Sequence, residues 1–380
     1  MRILVLGGDG FCGWPTSLKL AKAGHDVHIV DNFSRREIDK EIFSNSLTDI
    51  SSMSDRLEAA NEHKMSIRCA EIDIADNYYA FISYVTAVRP EAIIHFAEQR
   101  SAPYSMLSNI QRRYTVDNNI SVTHNVLNAI VEVVPSCHLI HLGTMGVYGY
   151  SKDFGKIPEG YLDVKVNSTK KDVDILYPTN PGSVYHMTKS LDQILFQFYN
   201  KNWGLKITDL HQGICWGTQT DETMLDDRLV NRFDYDGIYG TVLNRFISQA
   251  ATGNNITVYG TGGQTRAFIH IQDTANCVKL AVESPPEEGK VRIFNQVSEV
   301  RNVKELAELC ASKYNAKIDY VDNPRKELKE NELEVDNQGL RSLGFKPIML
   351  SDTLIDDIKF IANKMKDNLD PDNILTSPEW

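Results

Sequence analysis

The chain opens on an apolar run, Arg2 to Leu6, too short for a helix and of the right length for a buried strand. A glycine turn, Gly7-Gly8-Asp9-Gly10-Phe11-Cys12-Gly13, follows, and then a helical pattern to about Ala23. The same alternation recurs along the first half. Asp26 to Val30 reads as a second strand ending at Asp31, Ser66 to Ala70 as a third, and Glu91 to Ala97 as a fourth. Ser136 to Leu142 reads as a fifth and Lys206 to His211 as a sixth. Tyr114 to Val134, and a stretch from about Tyr185 to Trp203, carry the pattern of long helices. Near-continuous apolar strands separated by helices predict an α/β fold, a Rossmann-type doubly wound parallel sheet with a smaller C-terminal lobe.

Two stretches interrupt that rhythm. Residues 35–64 are polar with weak helical periodicity and read as a partly helical insertion. Residues 151–179 are charged and punctuated by Gly and Pro, which predicts a loop over the site. After Gln212 the pattern becomes mixed. The expected division is a dinucleotide-binding domain over 1–212 and a substrate lobe over 213–380, with some segments of the latter returning to the sheet.

Composition narrows the class. At 380 residues, 42% hydrophobic and 24% charged, the chain fits a globular protein of one large or two ordinary domains. A net charge of −11 argues against a nucleic-acid surface. No apolar run reaches membrane-spanning length and no targeting segment precedes the first strand, so a cytoplasmic protein is expected, with no membrane partner. The six cysteines are scattered without a C-x-x-C pair, which fits reduced thiols better than disulfides or a metal site.

The glycine turn carries the first chemistry. Gly7, Gly10 and Gly13 in strand–turn–helix context let backbone N–H groups approach a pyrophosphate at a helix N-terminus. Asp31 lies 31 − 13 = 18 residues past the last glycine, where a carboxylate binds a ribose diol. It would repel the extra phosphate of NADP, so NAD is the expected cofactor, although Arg35 and Arg36 keep that phosphate in play. Asp73 and Ile74 fall where an adenine contact is expected, and Asp73 fits a helix N-cap equally well. Arg100, at the end of the fourth strand, is placed to meet an anion. Asn118, Asn119 and His124 on the following helix serve packing or ligand roles, with Asn119 the preferred ligand candidate.

Tyr185 and Lys189 are four apart and share a helix face. Alone, such a pair is common and often incidental. Beside a nucleotide fingerprint it reads as a base: bringing a phenol from ~10 to about 7 takes roughly 4 kcal/mol, which one ammonium and an oxidised nicotinamide could supply. Thr144, at the end of the fifth strand, offers a hydroxyl for the same site. Arg266, closing the loop Tyr259-Gly260-Thr261-Gly262-Gly263-Gln264-Thr265, and Arg325 could grip a diphosphate with planar donor forks.

These residues resemble an extended short-chain dehydrogenase/reductase of the sugar-nucleotide branch, over nearly the whole chain. Within it, the strings Gly7 to Trp14, Glu98-Gln99-Arg100-Ser101-Ala102-Pro103-Tyr104-Ser105-Met106, Gly143 to Gly146, Thr220 to Thr223, Gly262 to Arg266 and Asn323 to Arg325 resemble the UDP-sulfoquinovose synthases. The resemblance implies UDP-glucose and sulfite as substrates, recycled NAD, and a homodimer formed through the two long helices. It implies cofactor contacts from Asp9, Phe11, Cys12, Asn32, Ala97 and Gln212. It implies substrate contacts from Gln99, Asn119, Met145, Gln212, Thr241, Tyr259 and Gln264.

Related dehydratases carry an Asp-Glu pair directly after the Thr, where this chain has Met145 and Gly146. The acid for loss of the sugar 6-hydroxyl must then come from elsewhere, and His186, expected to titrate near neutrality, is the candidate. Val147 departs from the Glu that the resemblance leads one to expect, and residues 150–180 match poorly. A UDP-sugar 4-epimerase or 4,6-dehydratase, or a non-catalytic NAD-binding sensor, stays open as an alternative.

Overall fold

A computed structural model describes residues 1–149, 155–165, 172–177, 179–287, 289–314, 316–325 and 330–374. Its centre is a seven-stranded sheet of β1 (Arg2–Leu6), β2 (Asp26–Asp31), β3 (Ile67–Glu71), β4 (Ala92–His95), β5 (His138–Thr144), β6 (Lys206–Gln212) and β7 (Arg292–Gln296). The order is β7-β6-β5-β4-β1-β2-β3 and every pairing is parallel. The Rossmann-type doubly wound sheet expected from the sequence is therefore present. Chain direction across the sheet reverses between β1 and β4, and the crevice beyond their carboxyl ends is where such sheets bind ligands.

Side-chain alternation along β1 assigns its residues to two cores. Ile3 and Val5 pack with Trp14 and Leu18 of α1 (Gly13–Lys22) and with Cys277 and Val278 of a helix at Ile271–Glu283. Leu4 and Leu6 pack on the other face with Phe81, Val126 and Phe196. These come from a helix at Tyr78–Val88, from a long helix at Asn109–Val133 and from another at Val184–Trp203. The Asn109–Val133 helix begins earlier than Tyr114 because Ser108 caps it, accepting the Ile110 N–H at 3.1 Å. The Val184–Trp203 helix is capped by Ser183, which accepts the His186 N–H at 3.2 Å, and ends at Gly204 in the left-handed region.

The polar stretch over 35–64 forms two helices, Ser34–Glu41 and Met53–Glu62, folded onto the glycine turn. Arg56 from the second is fully buried and reaches Asp9 at 2.9 Å and the Val230 carbonyl at 2.9 Å. Its guanidinium also lies over Trp14, 4.7 Å from the ring centre. The C-terminal lobe adds a three-stranded sheet of Ile214–Trp216, Thr265–His270 and Glu299–Asn302 and a helix at Val242–Ala251.

One expectation is corrected. The loop predicted over 151–179 contains a hairpin, Tyr161–Lys165 paired antiparallel with Asp172–Leu176, and Lys156–Ile157 pairs with Glu334–Val335. Charged residues alternate with apolar ones in both hairpin arms, a strand period that the density of charge obscures. The remaining residues of that stretch lie outside the described ones. Among the described residues no helix is long and apolar enough to cross a membrane, and all six cysteines are free thiols.

Replacing Arg56 by leucine removes one of the two guanidinium partners of buried Asp9. Breaking such a pair costs about 3 kcal/mol, so the urea midpoint should fall clearly. An unchanged midpoint would show that Arg36 alone satisfies Asp9.

Candidate active site

A cleft of about 1100 Å³ runs from the glycine turn, past the carboxyl ends of β4 and β5, to the C-terminal lobe. At the glycine end the backbone is packed too tightly for side chains. A Cβ on Gly13 would sit 2.0 Å from the Gly7 carbonyl oxygen, and Gly7 itself has a φ of +77° with a Cβ position 2.8 Å from the Ala97 nitrogen. The N-terminus of α1 opens on the cleft, and its N-cap residue Cys12 makes no side-chain capping bond. This is the cradle a dinucleotide pyrophosphate requires.

Asp31 lines the cleft and accepts the N–H groups of Asp9 and Phe33, each at 2.8 Å. Burial, with the neighbouring Asp9 carboxylate adding to it, lifts its pKa to about 6. Two carboxylate oxygens with one N–H each keep lone pairs for a ribose diol. Asp73 both lines the cleft and caps a turn, accepting from Ala75 and Asp76 at 3.0 and 3.1 Å. Asn32 donates to it at 2.7 Å. Asp9, Gly10, Phe11, Ile74, Ala97 and Gln212 also line this end.

The two arginines that kept NADP in play are both committed. Arg35 lines the cleft but binds Asp39 and Asp234, the latter at 3.0 Å, and lies 3.7 Å over the Tyr239 ring. Arg36 is not among the cleft-lining residues; it forks onto Asp9 through two bonds of 2.7 Å. Both are drawn from the expected anion site, Arg35 to nearby Asp39 and distant Asp234 and Arg36 to distant Asp9.

At the middle of the cleft Tyr185 and Thr144 line the same wall, and the Thr144 hydroxyl accepts the Gly146 N–H at 3.1 Å. Lys189 Nζ donates to the Leu142 carbonyl at 2.7 Å and lies 2.9 Å from His141 Nε2 and 3.0 Å from the Glu98 carboxylate. The expected acidified phenol is not what the protein alone provides. Burial pushes the Tyr185 pKa up, and the Glu98 charge opposes the lowering by Lys189 and Arg100.

His186 requires a second correction. Burial, then the charges of Arg325 and Arg266, lower its pKa to about 4, so it is neutral at pH 7 rather than poised near its usual value. Its Nδ1 is buried with no hydrogen-bond partner among the described residues. Its ring occupies the space beside Gly146: a Cβ there would lie 2.3 Å from His186 Cδ2.

Arg100 and Met145 line the cleft beside Tyr185, and Thr241, Tyr259, Gln264, Arg266 and Arg325 line its far end. Arg100 is held by Asp234 at 2.5 Å. Arg266 donates to the Thr265 carbonyl at 3.0 Å. Gln99 lines the cleft with its amide fixed on Thr115 at 3.0 Å. Asn119 is a brace instead: fully buried and off the cleft, it holds both backbone groups of Gln99, at 2.8 and 3.0 Å. Sequence reasoning missed Arg245, which lines the cleft with its guanidinium 4.4 Å over the Tyr259 ring. The Tyr259 and Thr241 hydroxyls and one Arg245 nitrogen are buried without partners among the described residues, as polar groups awaiting a ligand are. No local pattern marks Arg245, which is the one charged residue of its helix.

A glycine cradle, a diol-binding carboxylate and a Tyr-x-x-x-Lys pair on one doubly wound sheet define a nucleotide-dependent short-chain dehydrogenase/reductase architecture. The sequence profile of the NAD dependent epimerase/dehydratase family matches residues 3–295, and the chain belongs to that family. It is 40% identical to the chloroplastic UDP-sulfoquinovose synthase of Spinacia oleracea, over all of this chain and 79% of that protein. It is 41% identical to the UDP-sulfoquinovose synthase of Sulfolobus acidocaldarius, over 91% of this chain and 88% of that one. In fold it is similar to UDP-glucose-4-epimerase from Stenotrophomonas maltophila, solved with bound NAD and formylated UDP-arabinopyranose. That match has a TM-score of 0.74 at 19% identity, covering 97% of this chain and all of the other.

The histidine correction is directly measurable. Selectively labelled His186 should titrate near pH 4 by NMR in the free protein. The ordinary value in an unfolded chain is ~6.5, so this neutral imidazole costs stability as pH falls from about 6.5 toward 4 and has no effect above that window. A midpoint at 6.5 would contradict the burial and arginine fields described.

Proposed function

We propose that the chain is an NAD-dependent UDP-sulfoquinovose synthase, converting UDP-glucose and bisulfite into UDP-6-sulfoquinovose and water. The observation that carries this reading is Gly146 packed under the His186 imidazole. A glutamate at that position, as in the related dehydratases, would collide with the ring. Two synthases at 40 and 41% identity support the same substrate pair.

The glycine turn, Asp31 and Asp73 would hold NAD, which when bound supplies a hydride acceptor for carbon 4 and returns the hydride at the end of the cycle. The Tyr185 phenolate, beside the Thr144 hydroxyl, takes the proton from the 4-hydroxyl. A ketone at carbon 4 acidifies the proton on carbon 5. The neutral His186 imidazole takes that proton and passes it to the hydroxide leaving carbon 6, so that water departs. The negative diphosphate beside Arg266 and Arg325 offsets the field that keeps the free imidazole neutral, so substrate binding itself arms this acid. The sulfur lone pair of bisulfite adds to carbon 6 of the alkene, and the bisulfite proton passes to carbon 5. With Met145 and Gly146 in place of two carboxylates, the site repels the incoming anion less. Arg100 adds a cation on its approach.

A homodimer is part of the same reading. Met187, Leu191, Ile194 and Phe198 form an exposed apolar stripe along the Val184–Trp203 helix, at helical spacing.

Incubation with NAD, UDP-glucose and sulfite should yield a sulfonated nucleotide sugar by mass spectrometry. UDP-galactose as sole product would make it an epimerase, and tight NAD binding without turnover a sensor. Tyr185→Phe should lower turnover by about 10²–10⁴-fold with NAD binding retained; a variant of wild-type rate would remove Tyr185 as the base.

A further inference from the structure

Every cation facing the Tyr185 phenol arrives with its own carboxylate. Arg100 is paired with Asp234 at 2.5 Å, and Lys189 with Glu98 at 3.0 Å. Glu98 sits just past β4, with a backbone that lines the cleft and a side chain that turns inward to 2% exposure. One carboxylate oxygen meets Lys189 and His141 at 3.0 Å each, His95 at 3.4 Å and the Thr123 hydroxyl at 3.5 Å. Its other oxygen is buried without a partner among the described residues. Nothing in the reaction scheme uses this group. An ionised carboxylate with a spare buried oxygen is costly to keep.

We propose that Glu98 is a positioning residue for the Tyr185 base: its carboxylate anchors the Lys189 ammonium and limits how strongly that ammonium acts on the phenol. This rests on Tyr185 being the base. The surrounding groups leave Glu98 as the controlling charge. His95, from β4, is held neutral by burial, its pKa near 3. Asp192, one turn beyond Lys189, has its pKa raised well above the usual carboxylate range by burial and then by the Glu98 charge. His141, from β5, stays charged despite burial and the nearby ammonium, because Asp209 on β6 and Glu98 hold its proton, with a pKa near 9. Asp209, 2.8 Å from His141, is ionised and also holds His211 at 2.9 Å. Glu98 remains ionised because Lys189, then His141, outweigh its burial. The charges of Lys189, Glu98, His141 and Asp209 therefore cancel. In the free protein the phenol keeps its proton, and it becomes a base when a positively charged nicotinamide adds a cation that has no carboxylate of its own. A synthase that passes through a reactive alkene gains from a base that forms only once the oxidised cofactor is seated.

The test reads Tyr185 directly. Tyrosinate absorbance is titrated in the free and NAD-loaded protein, and the signal of Tyr185→Phe is subtracted to isolate this one of 16 tyrosines. Glu98→Gln keeps an acceptor for Lys189 and removes the charge. Its Tyr185 midpoint should fall by about one pH unit, a tenfold weaker hold on the proton. Loss of the His141 proton in the same variant blunts this fall without reversing it, because Glu98 is one of the leading charges on the phenol and His141 is not. Glu98→Asp, which keeps the charge, should restore the wild-type midpoint. A midpoint unmoved in Glu98→Gln, or moved equally by both variants, overturns the proposal. Wild type alone tests whether Tyr185 titrates low enough with NAD to be the base, so the two ideas fail separately. A measurement without variants applies as well: the labelled Glu98 carboxyl should stay ionised by carbon NMR from pH 6 to 9, and a protonated Glu98 in that range overturns it.

Discussion

The ammonium of Lys189 ties the catalytic helix to the sheet. It bonds the carbonyl of Leu142 on β5 and the carboxylate of Glu98 just past β4, which also holds the neighbouring imidazole of His141. Three elements that are distant in sequence meet at one buried cation, at the carboxyl edge where a doubly wound sheet presents ligands. A buried charge is tolerated only with its partners in place, so the contacts that hold the helix also fix the direction in which Tyr185 points. Ser183 at the helix start and the Ser105 hydroxyl, 3.1 Å from the Tyr185 nitrogen, fix the remaining freedom.

The same economy governs the rest of the cleft. Asp9, Asp39 and Asp234 take the guanidinium groups of Arg35, Arg36, Arg56, Arg100 and Arg232 in a buried lattice of ion pairs. That lattice joins the helices over 34–62, the glycine turn and the segment around residue 234, so the walls of the cleft are preorganised before any ligand arrives. Arg245, Arg266 and Arg325 line the far wall, where an anionic diphosphate suits the chemistry of the donors.

What the sequence makes legible is what short-range periodicity and spacing encode. The glycine turn, Asp31, Thr144 and the Tyr185–Lys189 pair can be read because each function sits within a few residues of a strand or helix boundary. The six strands β1 to β6 follow from apolar runs. The strand Arg292–Gln296 completes the sheet from far along the chain, and no local pattern announces that it joins β6. Charge partnerships are equally invisible. Arg36 looks like a phosphate ligand until Asp9 is brought to it, and Asn119 looks like a ligand until it is found clamping the backbone of Gln99. The proton affinities of Tyr185 and His186 go astray for the same reason: burial and distant arginines decide them, and neither can be counted along the chain.

The central claim is that a phenol aimed by an anchored lysine begins the chemistry at carbon 4 of a nucleotide sugar. The most direct test is a crystal structure of the Tyr185→Phe protein with NAD and UDP-glucose. The phenyl edge at position 185 should point at the sugar 4-hydroxyl, close enough that a restored phenol oxygen would lie about 2.6–3.2 Å from it, with Lys189 still bound to Glu98. A sugar bound with carbon 4 turned away from residue 185, or a Lys189 released from Glu98 in the complex, would contradict the account.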